Sequence, residues 1–407
     1  APGADVYIIN TCTVTDIADK KSRQMLHKAK KMNPQAIVIA VGCYAQTGAD
    51  RLAKDDTVDL VVGNSQKDRI ADILNQYWEN PMRQDHIEDM NDIREYEGVS
   101  FGMPKGHVRA NIKVQDGCNQ FCSYCVIPYA RGRVRSRRPE DVLEEVRDLA
   151  KQGYQEVVLT GIHLSSYGMD FREEKSRLLD LIRQVHRVEG ITRIRLGSLE
   201  PGIVTEEFAK NLSAFSKICP HFHLSLQSGC DSVLKRMNRR YTAQEYRERC
   251  EILREYFSDP ALTTDVMVGF PGETEDEFQA SYRFVKEIGF YETHIFQYSK
   301  REGTRAAAMD NQVDSRIKHE RSKQMLKLHE LQSQKYEQGW LHKKAELLVE
   351  EAKQTESGQI CLLGHTREYV KAAWMQGKSG DWINKRVQVE LLDHAEPHVL
   401  LCREWGY

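Results

Sequence analysis

The stretch VRANIKVQDGCNQFCSYC, residues 108–125, decides how the rest of the chain is read. Its first half, 108–114, is rich in residues that favour a strand. Its second half places Cys118, Cys122 and Cys125 in a Cys-x3-Cys-x2-Cys spacing, three thiols within eight residues. A cysteine loop that leaves a strand directly sits where α/β folds put their chemistry, at the carboxyl end of the strand. Three thiolates on one loop can hold a metal centre. A structural zinc site takes four protein ligands, and no fourth Cys or His lies nearby. An iron–sulfur cluster held by three thiolates keeps one iron open to an outside ligand, and that is the preferred reading.

Six strand-like runs, 108–114, 156–160, 192–196, 221–226, 262–268 and 294–298, lead outward from this loop towards the carboxyl terminus. Helical patterns lie between them at 139–151, 176–188, 205–212, 243–256 and 274–288. Alternation of this kind predicts parallel strands, and six units predict a (β/α)6 partial barrel. A long, charged helix at 314–340 trails it, closing a domain expected over residues 96–338.

Upstream, 6–10, 36–41 and 58–62 read as strands and 20–32 and 67–78 as helices, an open parallel α/β sheet over residues 1–95. Cys12 and Cys43 each fall just past a strand, about one βαβ unit apart. Residues 80–105 are polar and aperiodic and read as a linker. The chain opens on Ala1 rather than Met and enters the apolar run VYIIN almost at once, so an earlier strand is expected upstream. Downstream, short strands at 345–350, 359–365, 369–373, 386–392 and 398–402 predict a small antiparallel β-barrel over 339–407.

The composition fits such a globular, three-part chain. Acidic residues number 60 and basic ones 58, a net charge of −2 over 407 residues, so the protein is no polycation that could hold RNA by bulk charge. No apolar run reaches the ~18 residues that span a bilayer. Ten cysteines in a chain of this length point to metal or catalytic use of the clustered ones rather than to a disulfide scaffold. Cys219, Cys230, Cys250, Cys361 and Cys402 are scattered and read as bystanders.

With Tyr124 ahead of its last cysteine, the 118–125 motif resembles the radical S-adenosylmethionine superfamily. The likeness runs on through NTCTVTDIADKKSRQ (10–24), VGCYAQ (41–46) and VVGN (61–64). It continues in PYARGRVRSR (128–137), LTGIHLSSYG (159–168), RIRLGSLEP (193–201), HLSLQSG (223–229) and VGFPGETEDEF (268–278). These resemble the methylthiotransferases over nearly the whole chain. The resemblance implies that Cys118, Cys122 and Cys125 hold a 4Fe-4S cluster whose open iron binds S-adenosylmethionine. An electron from it would cleave the sulfonium to a 5′-deoxyadenosyl radical. It also implies a second, auxiliary 4Fe-4S cluster on three N-terminal cysteines, of which this sequence has Cys12 and Cys43 and lacks the third. The last domain resembles a TRAM RNA-binding barrel.

Three branches of the family are known, acting on isopentenyladenosine in tRNA, on threonylcarbamoyladenosine in tRNA, or on an aspartate of a ribosomal protein. NTCTVT, DKKSRQ and GCYAQ are most similar to the MtaB-type branch, which adds a methylthio group to carbon 2 of N6-threonylcarbamoyladenosine at position 37 of tRNA. The partners so implied are the tRNA anticodon loop, S-adenosylmethionine and an electron donor such as flavodoxin or ferredoxin. The setting implied is a monomer in a reducing cytoplasm with no membrane. A reading from another class remains: an RNA-binding protein with a structural metal site.

Further site residues are expected on the loops after the strands. Tyr124, His163, Ser198, Glu200, Gln227, Ser228 and Gly269 are candidates for contact with S-adenosylmethionine, against the bland alternative of turn and loop polar groups. Ser165 shares the loop of His163. Arg131, Arg133 and Arg135 crowd the segment after the cysteine loop, and Lys343, Lys371 and Arg386 lie in the last domain. These six are candidate RNA contacts.

Overall fold

The computed structural model describes residues 3–96, 108–171, 177–355, 359–376 and 381–405. Contacts group these into two compact units. The first takes residues up to 96 together with 115–136 and 299–310; the second takes 108–114, 137–298 and 311–405.

In the first unit, β1 (Val6–Thr11), β2 (Ile37–Gly42), β3 (Leu60–Val62) and β4 (Gln84–His86) form a parallel sheet in that order. The run IVIAVG makes β2 a central strand covered on both faces. Helix α1 (Asp16–Met32) starts where Thr15 accepts a hydrogen bond from the Ala18 N–H, with Asp16 and Asp19 in its first turn and Lys30 and Lys31 in its last. Its Leu26 and Ala29 pack on Val38 and Ala40, while Ile73 of another helix packs on Ile39, Val41 and Val62. Strand β4 lies inside the stretch read as a linker. Its sequence, QDH, is polar because an edge strand needs only backbone pairing, which leaves no apolar pattern to see.

The second unit carries six strands in chain order. They are β5 (Arg109–Asp116), β7 (Glu156–Gly161), β8 (Arg193–Leu196), β9 (His221–His223), β10 (Ala261–Val268) and β11 (Glu292–Gln297). The pairs β7–β8, β9–β10 and β10–β11 are parallel, and a parallel bridge between Leu199 and Leu224 continues β8 onto β9. This is the expected half-barrel. The short strand β6 (Arg135–Ser136), in the first unit, pairs antiparallel with the last two residues of β5. Helices α6 (Pro139–Lys151) and α10 (Ala243–Tyr256) keep the predicted bounds, and α11 (Glu275–Ile288) starts one residue later. Capping boxes Thr242/Glu245 and Thr274/Glu277 fix the starts of the last two. The trailing helix α12 (Ser315–Gln338) seals the core with Met325 and Leu328.

A closed five-stranded barrel follows: β12 (Lys344–Gln354), β13 (Ile360–His365), β14 (Lys371–Gln376), β16 (Val399–Glu404) and β15 (Arg386–Glu396), in that spatial order. All its pairings are antiparallel except β14 with β16, which is parallel. The expected all-antiparallel barrel is corrected at that one seam.

A buried charge cluster joins this barrel to the half-barrel. Glu156 accepts from Arg195 Nε at 2.9 Å and faces Arg193 Nη1 at 3.5 Å, and Arg193 Nε reaches Glu346 on β12 at 3.0 Å. Tyr369 lies stacked on His221 and His365, with the guanidinium groups of Arg195 and Arg109 over its ring. Among the described residues, no helix is long and apolar enough to cross a membrane.

Candidate functional site

The cysteine loop leaves β5 through a forced turn. Gly117 has φ +70°, and a Cβ there would stand 1.8 Å from the Arg133 carbonyl oxygen, so only glycine fits. The Cys118 N–H then donates to the Gly132 carbonyl at 3.0 Å, and the Cys125 N–H to the Cys122 carbonyl at 3.0 Å. The Gln120 N–H points at Cys118 Sγ, 3.4 Å away. All three cysteines are half-buried. Three thiols on one tight loop, one already met by a backbone N–H, are a donor set that suits a 4Fe-4S cluster. Among the described residues no three His, Cys, Asp or Glu side chains close on one point as a single ion would require.

Cys12 and Cys43 follow residues paired in register, Thr11 and Gly42, so both leave the same sheet edge. Cys12 is exposed and Cys43 buried. Gly42 makes the turn possible with φ +99°, where a Cβ would stand 2.5 Å from the Thr11 carbonyl. Arg131 donates from Nε to Cys43 Sγ at 3.1 Å and faces Asp116 with Nη1 at 3.3 Å. Asn64 Nδ2 lies 3.8 Å from the same sulfur and bonds the Ala130 carbonyl at 2.7 Å.

Two of the residues expected to contact RNA take partners within the fold. Arg135 is 2% exposed, and it donates to the Arg131 and Arg133 carbonyls and faces Asp116. Arg131 is held between Cys43 and Asp116. Both guanidinium groups are thus engaged within the fold, Arg135 as a buried charge and Arg131 as a half-buried one. Arg133 is exposed, its guanidinium over the Phe121 ring.

On the half-barrel, His163 and Glu200 come together. His163 Nε2 lies 3.1 Å from Glu200 Oε2, and its Nδ1 lies 2.6 Å from Ser166 Oγ. A carboxylate only accepts, so Nε2 carries a proton. Ser165 Oγ accepts from the Glu200 N–H at 2.8 Å. Burial works against the Glu200 charge, but the His163 hydrogen bond and Arg239 outweigh it and hold the carboxyl below its usual range.

Gln227 takes a left-handed backbone, φ +69°, while its N–H and C=O both pair with β10. Ser228 is fully enclosed and its hydroxyl accepts from the Cys230 N–H. Gly269 donates its N–H to buried Glu273 at 2.6 Å. Ser198 lines a cavity of about 700 Å³ within this unit, with Arg109, Asn111, Arg195, His223 and Tyr369. Tyr124 is half-buried on the cysteine loop. On the C-terminal barrel, Lys343 pairs with Asp259 at 2.8 Å and Arg386 with Glu346 at 3.0 Å; Lys371 is half-buried.

Sequence reading missed the strap at residues 299–310. Its Arg301 pairs with Asp19 at 2.9 Å and bonds Thr13, next to Cys12. The Ala306 N–H donates to the Ser123 carbonyl at 2.8 Å, inside the cysteine loop. The charge-dense run KREGTR, 300–305, directly after the last half-barrel strand, was the available signal.

Comparison with known proteins agrees with this assembly. Residues 112–285 match the family model described as the radical SAM superfamily, and residues 1–63 match uncharacterized protein family UPF0004. The chain is 40% identical over 397 residues to threonylcarbamoyladenosine tRNA methylthiotransferase MtaB of Bacillus subtilis, covering 97% of this chain and 87% of that one. It is 43% identical to the protein of the same name from Aquifex aeolicus, covering 82% and 80%. The tRNA-2-methylthio-N(6)-dimethylallyladenosine synthase of Alkaliphilus oremlandii is 36% identical, covering 90% and 78%. Among solved structures, the radical S-adenosylmethionine methyltransferase TsrM of Kitasatospora setae shares the fold, with TM-score 0.57 at 17% identity over 74% of this chain and 65% of that one. Cysteine loop, half-barrel and chain-long similarity agree: the chain belongs to the radical S-adenosylmethionine tRNA methylthiotransferases.

Proposed function

We propose that this protein inserts a methylthio group at carbon 2 of N6-threonylcarbamoyladenosine at position 37 of tRNA. The loop of Cys118, Cys122 and Cys125 at the head of the half-barrel carries the proposal, together with relatives at 40% and 43% identity named for that nucleoside. Carbon 2 of adenine bears an unactivated C–H bond that side-chain acids and bases do not remove. A 4Fe-4S cluster, when bound, supplies the electron that opens the sulfonium of S-adenosylmethionine. The chain's own residues then have to bind, orient and exclude water.

In this reading Cys118, Cys122 and Cys125 hold the cluster, and the Gln120 N–H stabilises the Cys118 sulfur. The pair His163–Glu200 offers a fixed carboxylate and imidazole for the amino end of S-adenosylmethionine. Tyr124, Ser198, Gln227 and Gly269 are proposed to shape the rest of its site. Cys12 and Cys43 are proposed as two ligands of a second cluster. The sheet edge offers two thiols where the resemblance leads one to expect three.

Arg133, Lys343, Lys371 and Arg386 are the proposed RNA contacts, on exposed or half-exposed positions. An electron donor of the flavodoxin or ferredoxin kind, a monomeric state and a cytoplasmic setting complete the proposal.

The test is anaerobic reconstitution followed by assay of iron, acid-labile sulfide and S-adenosylmethionine cleavage. Wild type is expected to gain about four iron atoms at this loop with matching sulfide. Cys122→Ala is expected to lose that iron and the cleavage. Full cleavage by the variant, or zinc without sulfide in wild type, would overturn the reading.

A further inference from the structure

The first unit contains a cavity of about 1110 Å³, large enough for a nucleoside. Its walls come from α1, from the helix that starts at Cys43, from Val126 and from residues 300–308. Tyr44 follows Cys43 and Val126 follows Cys125, and Arg301 on the wall bonds Thr13, which follows Cys12. The cavity therefore touches residues one step from two of the cysteines proposed as cluster ligands, and reaches the neighbour of a third through Arg301.

Its lining mixes charged and apolar groups. Seven of the fifteen lining residues are charged, Asp19, Lys300 and Arg301 among them, beside Tyr44, Val126, Ala307 and Ala308. Asp19 and Arg301 are each 8% exposed and pair at 2.9 Å, yet Asp19 Oδ1 and Arg301 Nε have no hydrogen-bond partner among the described residues. Buried polar atoms left this way are costly and mark hydrogen-bonding capacity in reserve. Arg51 is matched by Glu302 and Asp16 by Lys20. Lys300, exposed on the rim, has no carboxylate partner among the described residues. The wall is prebuilt: the Asp16 N–H donates to Ser299 Oγ at 3.2 Å and Thr304 caps the turn at 305–308 through the Ala307 N–H.

A threonylcarbamoyl group carries a carboxylate, a hydroxyl and urea N–H groups on one short chain. We infer that this cavity receives that group of the nucleoside, with Arg301 and Lys300 facing its carboxylate and Asp19 facing its hydroxyl and N–H donors. The inference rests on the proposed nucleoside and deepens it by assigning where its substituent is read.

The experiment is equilibrium binding of fluorescein-labelled anticodon stem-loop RNAs to the chain, measured by anisotropy. The RNAs carry threonylcarbamoyladenosine, dimethylallyladenosine or plain adenosine. Wild type is expected to favour the threonylcarbamoyl RNA over plain adenosine by about tenfold or more, the scale of a charge-assisted hydrogen bond. Lys300→Ala and Arg301→Lys are each expected to shrink that preference severalfold. Thermal unfolding checks that each variant is folded; if Arg301→Lys is not, Lys300→Ala on its exposed position still decides. Full preference in folded variants overturns the cavity assignment and leaves the nucleoside standing. Wild type that favours the dimethylallyl RNA, or favours none, overturns the assignment, and the first of these overturns the nucleoside with it.

Discussion

Arg131 and Arg135 show what a residue's chemistry does and does not reveal before its neighbours are known. Both are cations in a basic run, which suggests RNA, but Asp116 lies on β5 fifteen or more positions earlier and draws both inward. No local pattern announces that pairing. The three thiols of the cysteine loop were legible for the opposite reason, because their partners lie within eight residues. Gly117 was legible only as a small residue; its left-handed φ and the Arg133 carbonyl against it belong to the folded loop. Gly117→Ala is expected to cost about 1–3 kcal/mol of stability and to lower iron uptake, since the strain falls on the loop that carries the ligands. Urea denaturation and iron content of the reconstituted variant check this, and an alanine variant as stable and as iron-rich as wild type would contradict it.

Legibility at the scale of elements followed length and capping. Helices α6 and α10 kept their predicted bounds, α6 led by a proline and two acids and α10 by a capping box. Strands β4 and β6 and the six-residue helix Asp231–Arg236 are too short to build a periodic signal.

The joint between half-barrel and C-terminal barrel also escaped sequence reading, because Glu156, the pair Arg193 and Arg195, and Glu346 lie far apart in the chain. Removing Glu156 leaves two buried guanidinium groups without their shared carboxylate. Glu156→Ala is expected to destabilise the protein by about 3–5 kcal/mol, read as a lowered urea midpoint.

A second joint ties α12 to the hairpin of β15 and β16. His398 lies 2.9 Å from buried Glu337 and 3.0 Å from Glu330, with His394 and His329 nearby. Burial disfavours its charge, but the hydrogen bonds to Glu337 and Glu330 outweigh that and raise its pKa. A raised histidine pKa contributes stability that is fully present below about pH 6.5 and is lost as pH rises through the folded value. The stability gap between wild type and His398→Gln is therefore expected to narrow as pH rises above about 6.5. A gap that widens over that range would contradict the assignment.

At the scale of the molecule, a net charge of −2 leaves RNA binding to local patches. Sequence reading predicted the α/β sheet, the half-barrel and the small closed barrel in their order, since each rests on a long run of strand and helix periodicity. It did not reveal that the cysteine loop and the 299–310 strap group with the N-terminal sheet, a grouping made by contacts between distant segments. That grouping gathers Cys12, Cys43 and the 118–125 loop in one compact unit.

The most direct test is mass spectrometry of tRNA nucleosides from cells lacking the gene for this protein. The expected result is loss of 2-methylthio-N6-threonylcarbamoyladenosine with accumulation of N6-threonylcarbamoyladenosine. Normal levels of the 2-methylthio nucleoside in those cells would contradict it.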